Sequence, residues 1–270
     1  MSYASRLTAD RSAREALVPA VLGGLLVVYF LIPFVAFLSR TGTANVIEGL
    51  SSPGARDAIR NSLLTAPVST AVATVFGVPL AYVLARRSFP GKRLVEAVVI
   101  LPLVLPPVVG GAMLLTAVGQ FTPLGSTAAA LGVPLTNSLL GVVLAQVFVA
   151  APFVIVTARA GFGAVDERLE QASRSLGYGP LATFWHVSLP MARGAIVAGV
   201  VLTFARAIGE FGATMMVAYN PRTMPTRIWV EFITGGIDEI IPLAVGLLGI
   251  TLAVVISIQR IGRVPTVIGR

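Results

Sequence analysis

The 270-residue chain has no cysteine and a single histidine, His186. Without thiols it can build no disulfide, iron–sulfur cluster or thiolate metal site, and a lone imidazole offers no metal pair. Charge is scarce as well. Asp, Glu, Lys and Arg make up 12% of the residues, against roughly 25% in a soluble domain. So few polar side chains cannot cover a water-facing surface, which argues against a soluble enzyme or binding module. The phosphate-loop pattern G-x-x-x-x-G-K-[ST] is missing too, since Gly91-Lys92 continues with Arg93. No catalytic cluster, internal repeat, heptad array or low-complexity tract is evident, so one domain is the simplest parse.

What is present is apolar: 56% of residues are hydrophobic and the mean hydropathy is +0.87. A membrane span needs roughly 20 mostly apolar residues, and six stretches qualify, at about 17–38, 61–85, 94–118, 138–158, 190–219 and 241–259. These lengths suit helices rather than barrel strands. The expected layout is a tail over 1–16, a six-span all-α domain over 17–260 with a long loop at about 164–189, and a second tail over 261–270. Arg6, Arg11 and Arg14 precede the first run as in a signal peptide, but 22 residues from Leu17 to Leu38 exceed a signal's apolar core.

The basic residues set the orientation. With the N-terminus in the cytoplasm, Arg86, Arg87, Lys92, Arg93, Arg159, Arg168, Arg174, Arg193 and both tails lie inside, while only Arg40, Arg56, Arg60, Arg222 and Arg227 lie outside. This is the positive-inside pattern, and it puts both termini in the cytoplasm. The net charge of +8 is then mainly a topology signal, with anionic lipid headgroups rather than nucleic acid as its partner. The acidic Glu231, Asp238 and Glu239 near the last outer loop read as a solvated face.

Two spans carry residues that are costly in a membrane. In "LPLVLPPVVGG" (101–111), Pro102, Pro106 and Pro107 remove backbone donors and Gly110 and Gly111 loosen the next turn, so the third span should be kinked or broken. Broken helices tend to line cavities, and a kinked packing helix is the plainer alternative. In "ARAIGEFGATMMV" (205–217), Arg206 and Glu210 are four apart and should share a helix face, with Gly212 allowing close approach. The pair either borders a path through the protein or only fixes packing.

The long loop interrupts this pattern. Asp166, Glu167 and Glu170 come early, where a helix start favours negative charge. Leu169, Ala172, Ser173 and Leu176 recur at spacings of three and four, which predicts a narrow apolar face. Gly177 fits a helix stop and Pro180 a second helix start, so two short helices joined by Gly177-Tyr178-Gly179 are expected. Phe184 and Trp185 should be exposed beside Leu181. Such a surface either lies in the membrane interface or docks a soluble partner.

The loop resembles the signature loop of ABC importer permeases, Glu-Ala-Ala, three residues, Gly, nine residues, Ile-x-Leu-Pro. Here Gln171, Ala172 and Ser173 fill the triplet, Gly177 keeps its place, and Val187-Ser188-Leu189-Pro190 ends the pattern, with Glu170 one residue out of frame. "GEFGAT" (209–214), "FGVPLAYVLARRSFPGK" (76–92), "LPLVLPPVVGG" and "AYNPRTMPTRIWVEF" (218–232) are similar to the molybdate, tungstate and sulfate subgroup, the last most like its molybdate/tungstate members. The resemblance runs from about residue 60 to 255.

It implies a six-helix type I importer fold in a prokaryotic plasma membrane. It also implies a homodimer of permease subunits, two ATPase subunits that hold the ATP and magnesium, and an outside binding protein that delivers a tetrahedral oxyanion. Molybdate or tungstate comes first and sulfate second. No cofactor or metal is expected on this chain. Coupling to the ATPase would fall to Glu170, Gln171, Ala172, Ser173, Gly177, Tyr178, Phe184, Leu189 and Pro190. The path or its gate would involve Pro106, Pro107, Gly110, Arg206, Glu210 and Gly212. A self-sufficient carrier or channel is the rival of another class. It should show several membrane carboxylates or histidines, whereas only Glu210 is clearly within a span, with Glu96 near an end.

Overall fold

The computed structural model describes the backbone of residues 3–41 and 43–262 and the side chains of 17–41 and 46–257; the expected tails lie largely outside the described side chains. In order, the helices are α1 (Tyr3–Ser39), α2 (Thr43–Ser51), α3 (Pro53–Arg86), α4 (Lys92–Val104), α5 (Pro107–Val118), α6 (Pro123–Ala130), α7 (Leu139–Ala164), α8 (Glu167–Ser175), α9 (Pro180–Thr183), α10 (Leu189–Ile208), α11 (Gly212–Val217), α12 (Met224–Gly235) and α13 (Ile237–Gly262). No strand occurs among the described residues. Two compact units are present, Met1–Glu48 and Gly49–Arg270. The first consists mainly of α1, whose segment Leu17–Ser39 is long and apolar enough to span a membrane.

In the second unit α3, α7 and α10 pack closely together. Their contact is built from small residues: Ala66, Ala73 and Ala81 of α3, Ala150 and Ala158 of α7, and Ala192 and Ala207 of α10 are all buried. Between apolar helices in lipid there is no hydrophobic drive, so close backbone approach supplies the attraction. Gly199 illustrates the limit, since a Cβ there would come within 3.0 Å of the Val154 Cα on α7. Polar bonds also cross this core, from Ser69 Oγ to Gln146 Oε1 at 2.8 Å and from Thr203 Oγ1 to the Ala150 carbonyl at 3.3 Å.

Among the described residues five helices are long and apolar enough to cross a membrane, or six if the pair α5 and α6, bent by 66°, forms one span. The third expected span is broken, as its prolines require. α4 ends at Val104, Leu105 N–H closes on the Leu101 carbonyl, and α5 restarts at Pro107, whose missing N–H costs nothing in a first turn. The connection 119–137 contains α6, capped by Thr122.

The fifth expected span, 190–219, needs correction. α10 stops at Ile208, and a separate short helix, α11, follows Phe211. Arg206 and Glu210 therefore do not share one helix face, because Glu210 lies past the helix end. Their side chains still meet as an ion pair. At its other end α10 extends backwards. α9 runs through a wider π turn, Phe184–Ser188, directly into α10. The wide turn, in which Leu189 N–H reaches the Phe184 carbonyl, relieves the clash that Pro190 would otherwise make one turn back. The second loop helix and the fifth span are thus one continuous rod from Pro180 to Ile208.

Candidate functional site

The loop between α7 and α10 folds as its local signals dictate. Asp166 caps α8 by accepting the Arg168 N–H at 2.9 Å. α8 ends in a Schellman turn: Tyr178 N–H reaches the Ser173 carbonyl, Gly177 N–H reaches the Arg174 carbonyl, and Gly177 has φ +88°. α9 begins with Pro180 in its first turn. We expect Gly177→Val to cost about 1–2 kcal/mol, because a branched residue is forced into the left-handed region. Nothing lies within 4 Å of a Cβ there, so crowding adds no further penalty. A thermal melt of the purified chain checks the size of that loss.

What α8 buries is the reverse of an ordinary helix. Glu170 is 4% exposed and Ser173 8%, whereas Leu176 is 79% exposed and Leu169, Tyr178, Leu181 and Trp185 are also exposed. The expected apolar face of Leu169, Ala172, Ser173 and Leu176 is therefore split. Only Ser173 points inward, where its Oγ lies 3.1 Å from Thr183 Oγ1. Phe184, expected to be exposed, is instead partly buried, with its ring 4.9 Å from Tyr82 and 6.0 Å from Phe162. Trp185 remains outside, and so do Gln171 and Ala172 of the triplet. Leu189 is half-buried and Pro190 exposed. His186 stays on the surface, its Nδ1 2.8 Å from the Ala182 carbonyl. Among the described residues no group of acidic or histidine side chains is placed to hold a metal.

The inward polar face closes on one arginine. Glu170 Oε1 accepts from Arg86 Nε at 2.9 Å and from Ser188 Oγ at 2.8 Å, and Glu170 Oε2 accepts from Tyr82 Oη at 3.3 Å. Arg86 Nη2 also donates to the Val165 carbonyl at 2.7 Å. The buried Arg86 guanidinium at the end of α3 thus holds the start of the loop and the middle of α8, and Glu170 in turn holds the π turn that enters α10. Desolvation makes such a pair costly unless every partner is satisfied, and here each has several. Arg86, Tyr82, Ser188 and Thr183 were not among the expected site residues. Arg86 lies 84 positions before Glu170, and no periodicity links them.

At the far end of α10 the structure gathers the other expected residues. Glu210 is 1% exposed, pairs with Arg206, and accepts the Ala213 N–H at 2.7 Å, so it caps α11. α11 packs on α5: a Cβ on Gly111 would meet Ala213 Cα at 2.8 Å, and one on Gly212 would meet Val108 and Pro107 at 3.0–3.1 Å. Gly110 is buried against Phe148, whereas Pro106 is exposed. Two broken spans therefore cross at their breaks, with the carboxylate of Glu210 beside the crossing. Arg206 is compensated by Glu210, which favours the packing reading. We expect Arg206→Ala to lose about 1–3 kcal/mol by stranding a buried carboxylate. Uptake that falls no further than the folded fraction fits packing, and a larger fall would place Arg206 on the path.

The pattern of the family described as binding-protein-dependent transport system inner membrane component matches residues 77–264. A probable molybdenum ABC transporter permease protein of Haloferax volcanii is 47% identical over 245 residues, covering 91% of this chain and 90% of the relative. A molybdate/tungstate transport system permease protein of Thermococcus kodakarensis is 41% identical and covers 89% and 93%. Among solved structures, a bacterial ABC transporter involved in the import of the acidic polysaccharide alginate superposes with a TM-score of 0.73 at 17% identity, over 97% of this chain and 99% of that one. At that identity the likeness shows the fold.

Proposed function

The chain belongs to the family of binding-protein-dependent transport system inner membrane components, a family of transport permeases, and from that premise we infer that it imports a tetrahedral oxyanion, molybdate or tungstate first. It is a multi-pass membrane protein and an ABC permease subunit. The substrate follows from the relatives at 47% and 41% identity, which cover nearly the whole chain. ATP hydrolysis belongs to a separate polypeptide, because the sequence holds no phosphate loop. Two copies enclose one path, an outside binding protein delivers the anion, and both termini face the cytoplasm by the arginine bias.

The observation that carries the coupling role is the inverted loop. Its apolar residues Leu176, Leu181 and Trp185 face outward, and its polar residues Glu170 and Ser173 face in. An apolar patch held out by a rigid polar root suits a groove on an ATPase. Force on that patch passes along the continuous rod 180–208 and, through Arg86, into α3. The rod ends where α11 crosses α5, so its displacement reaches the breaks in both spans. In this scheme Gln171, Ala172, Tyr178, Leu189 and Pro190 contact or brace the ATPase, Phe184 anchors the patch from within, and Pro106, Pro107, Gly110 and Gly212 shape the gate.

Reconstitution tests the reading. Vesicles holding this chain, its ATPase subunits and its binding protein should accumulate molybdate only with ATP inside. Accumulation without the ATPase would instead establish a self-sufficient carrier.

A further inference from the structure

At the end of α3 opposite Arg86 lies a polar pocket of about 370 Å³. It opens between the first turns of α3 and the segment leading into α12, about 40 Å from the loop at 1.5 Å per residue along α3. Three arginines line it, Arg60, Arg222 and Arg227, with one acid, Asp57. The walls are fixed. Asn61 Nδ2 donates to the Arg222 carbonyl at 2.8 Å, and the Met224 N–H donates to Ser62 Oγ at 2.8 Å. Below them Ala55, Ala58, Met224 and Leu243 form a buried apolar floor.

The arginines are not equivalent. Arg227 is engaged by Glu231, and its guanidinium lies against Gly54, where a Cβ would come within 2.7 Å of Cζ. Arg60 and Arg222 have no acidic partner among the described residues. Arg222 donates from Nη2 to Tyr219 Oη at 3.2 Å and stacks over that ring at 5.1 Å, yet its buried Nε has no acceptor. A buried donor of this kind demands an acceptor. A guanidinium held by its flank offers its remaining N–H groups to an oxyanion.

We propose that this pocket is a low-affinity site for a divalent tetrahedral oxyanion, held by Arg222 and Arg60 before it enters the membrane. The proposal rests on the oxyanion reading above. Asp57 faces the same space and weakens the hold by like charge, which suits a site that must pass its anion on.

The test is equilibrium dialysis of the full chain in phosphatidylcholine nanodiscs against sodium molybdate at low ionic strength. One anion per chain is expected, and chloride at matched ionic strength should not displace it. Arg222→Gln should weaken retention about tenfold, the loss expected of one charge-assisted hydrogen bond. Arg60→Gln, at an exposed residue, should weaken it several-fold without threatening the fold. Asp57→Asn should tighten it several-fold, a gain that a merely structural role does not produce. No retention, or equal retention by all three variants, overturns the site. Retention abolished by adding phosphatidylglycerol assigns the arginines to lipid phosphate and overturns it too. ATP-driven uptake measured on the same chain separates the failures: uptake without retention removes only this site, and no oxyanion uptake removes the reading beneath it.

Discussion

Glu170→Ala is expected to lower stability by about 3–5 kcal/mol, because it leaves the Arg86 guanidinium buried without its carboxylate. Both side chains are nearly inaccessible, at 7% and 5% exposure, so water cannot replace the lost partner. Ser188 and Tyr82 lose their acceptor in the same step. The polar ties from the loop to α3 would then be the Val165 carbonyl and the longer Arg86–Glu167 pair at 3.7 Å, whose carboxylate is exposed, and ATP-driven transport should fall to background even in the folded fraction. Thermal unfolding in detergent measures the first effect, and uptake per folded molecule the second. The double variant Arg86→Ala/Glu170→Ala should recover part of the stability, since no charge is then stranded, but not the transport. Transport that recovers along with stability would make the hub a packing device with no part in coupling.

Leu181→Asp should give the opposite profile. Leu181 is 72% exposed, so a charge there hardly touches the isolated chain, and its melting temperature should stay put. Within an apolar groove the same carboxylate has no partner, and desolvating it costs several kcal/mol. Affinity for the ATPase subunit should fall by about 100-fold or more, with uptake lost in proportion. Leu181→Ala should lie between the two. Co-purification of the ATPase reads the effect directly. If Leu181→Asp instead impairs membrane insertion when no ATPase is present, the patch faces lipid and the docking role fails.

The two substitutions lie on opposite faces of one small module, and the contrast between them is the mechanical content of the site. The polar face makes the loop rigid with respect to α3 and α10. The apolar face is what the proposed ATPase groove would grip. A loop with the usual polarity would bury its leucines, leaving a charged exterior that a partner must desolvate. Here the desolvation is already complete, inside the permease, around Glu170.

Much of this was legible in the sequence, wherever the physics is local. Span length and hydropathy are sums over about 20 residues. The break at Pro106-Pro107 follows from missing donors, the stop at Gly177 from its freedom at positive φ, and the start at Pro180 from a fixed φ. Each acts within a turn or two, so reading along the chain finds it. Other features were not legible. The register of α8, rotated so that Glu170 rather than Leu169 points inward, depends on an arginine 84 residues earlier. Phe184 turned in because Tyr82 and Phe162 offer it rings to pack on. The stop of α10 at Ile208 depends on Glu210 finding the Ala213 N–H and a place beside α5, although nothing in "ARAIGEF" forbids a longer helix. The sequence by itself therefore determined that the chain lives in a membrane and where its helices start and stop for reasons of their own backbone. Only the tertiary structure decided which polar groups were taken out of water and which apolar ones were left in it, because the free energy of a buried charge depends on partners brought close by packing, at separations along the chain that no local pattern encodes.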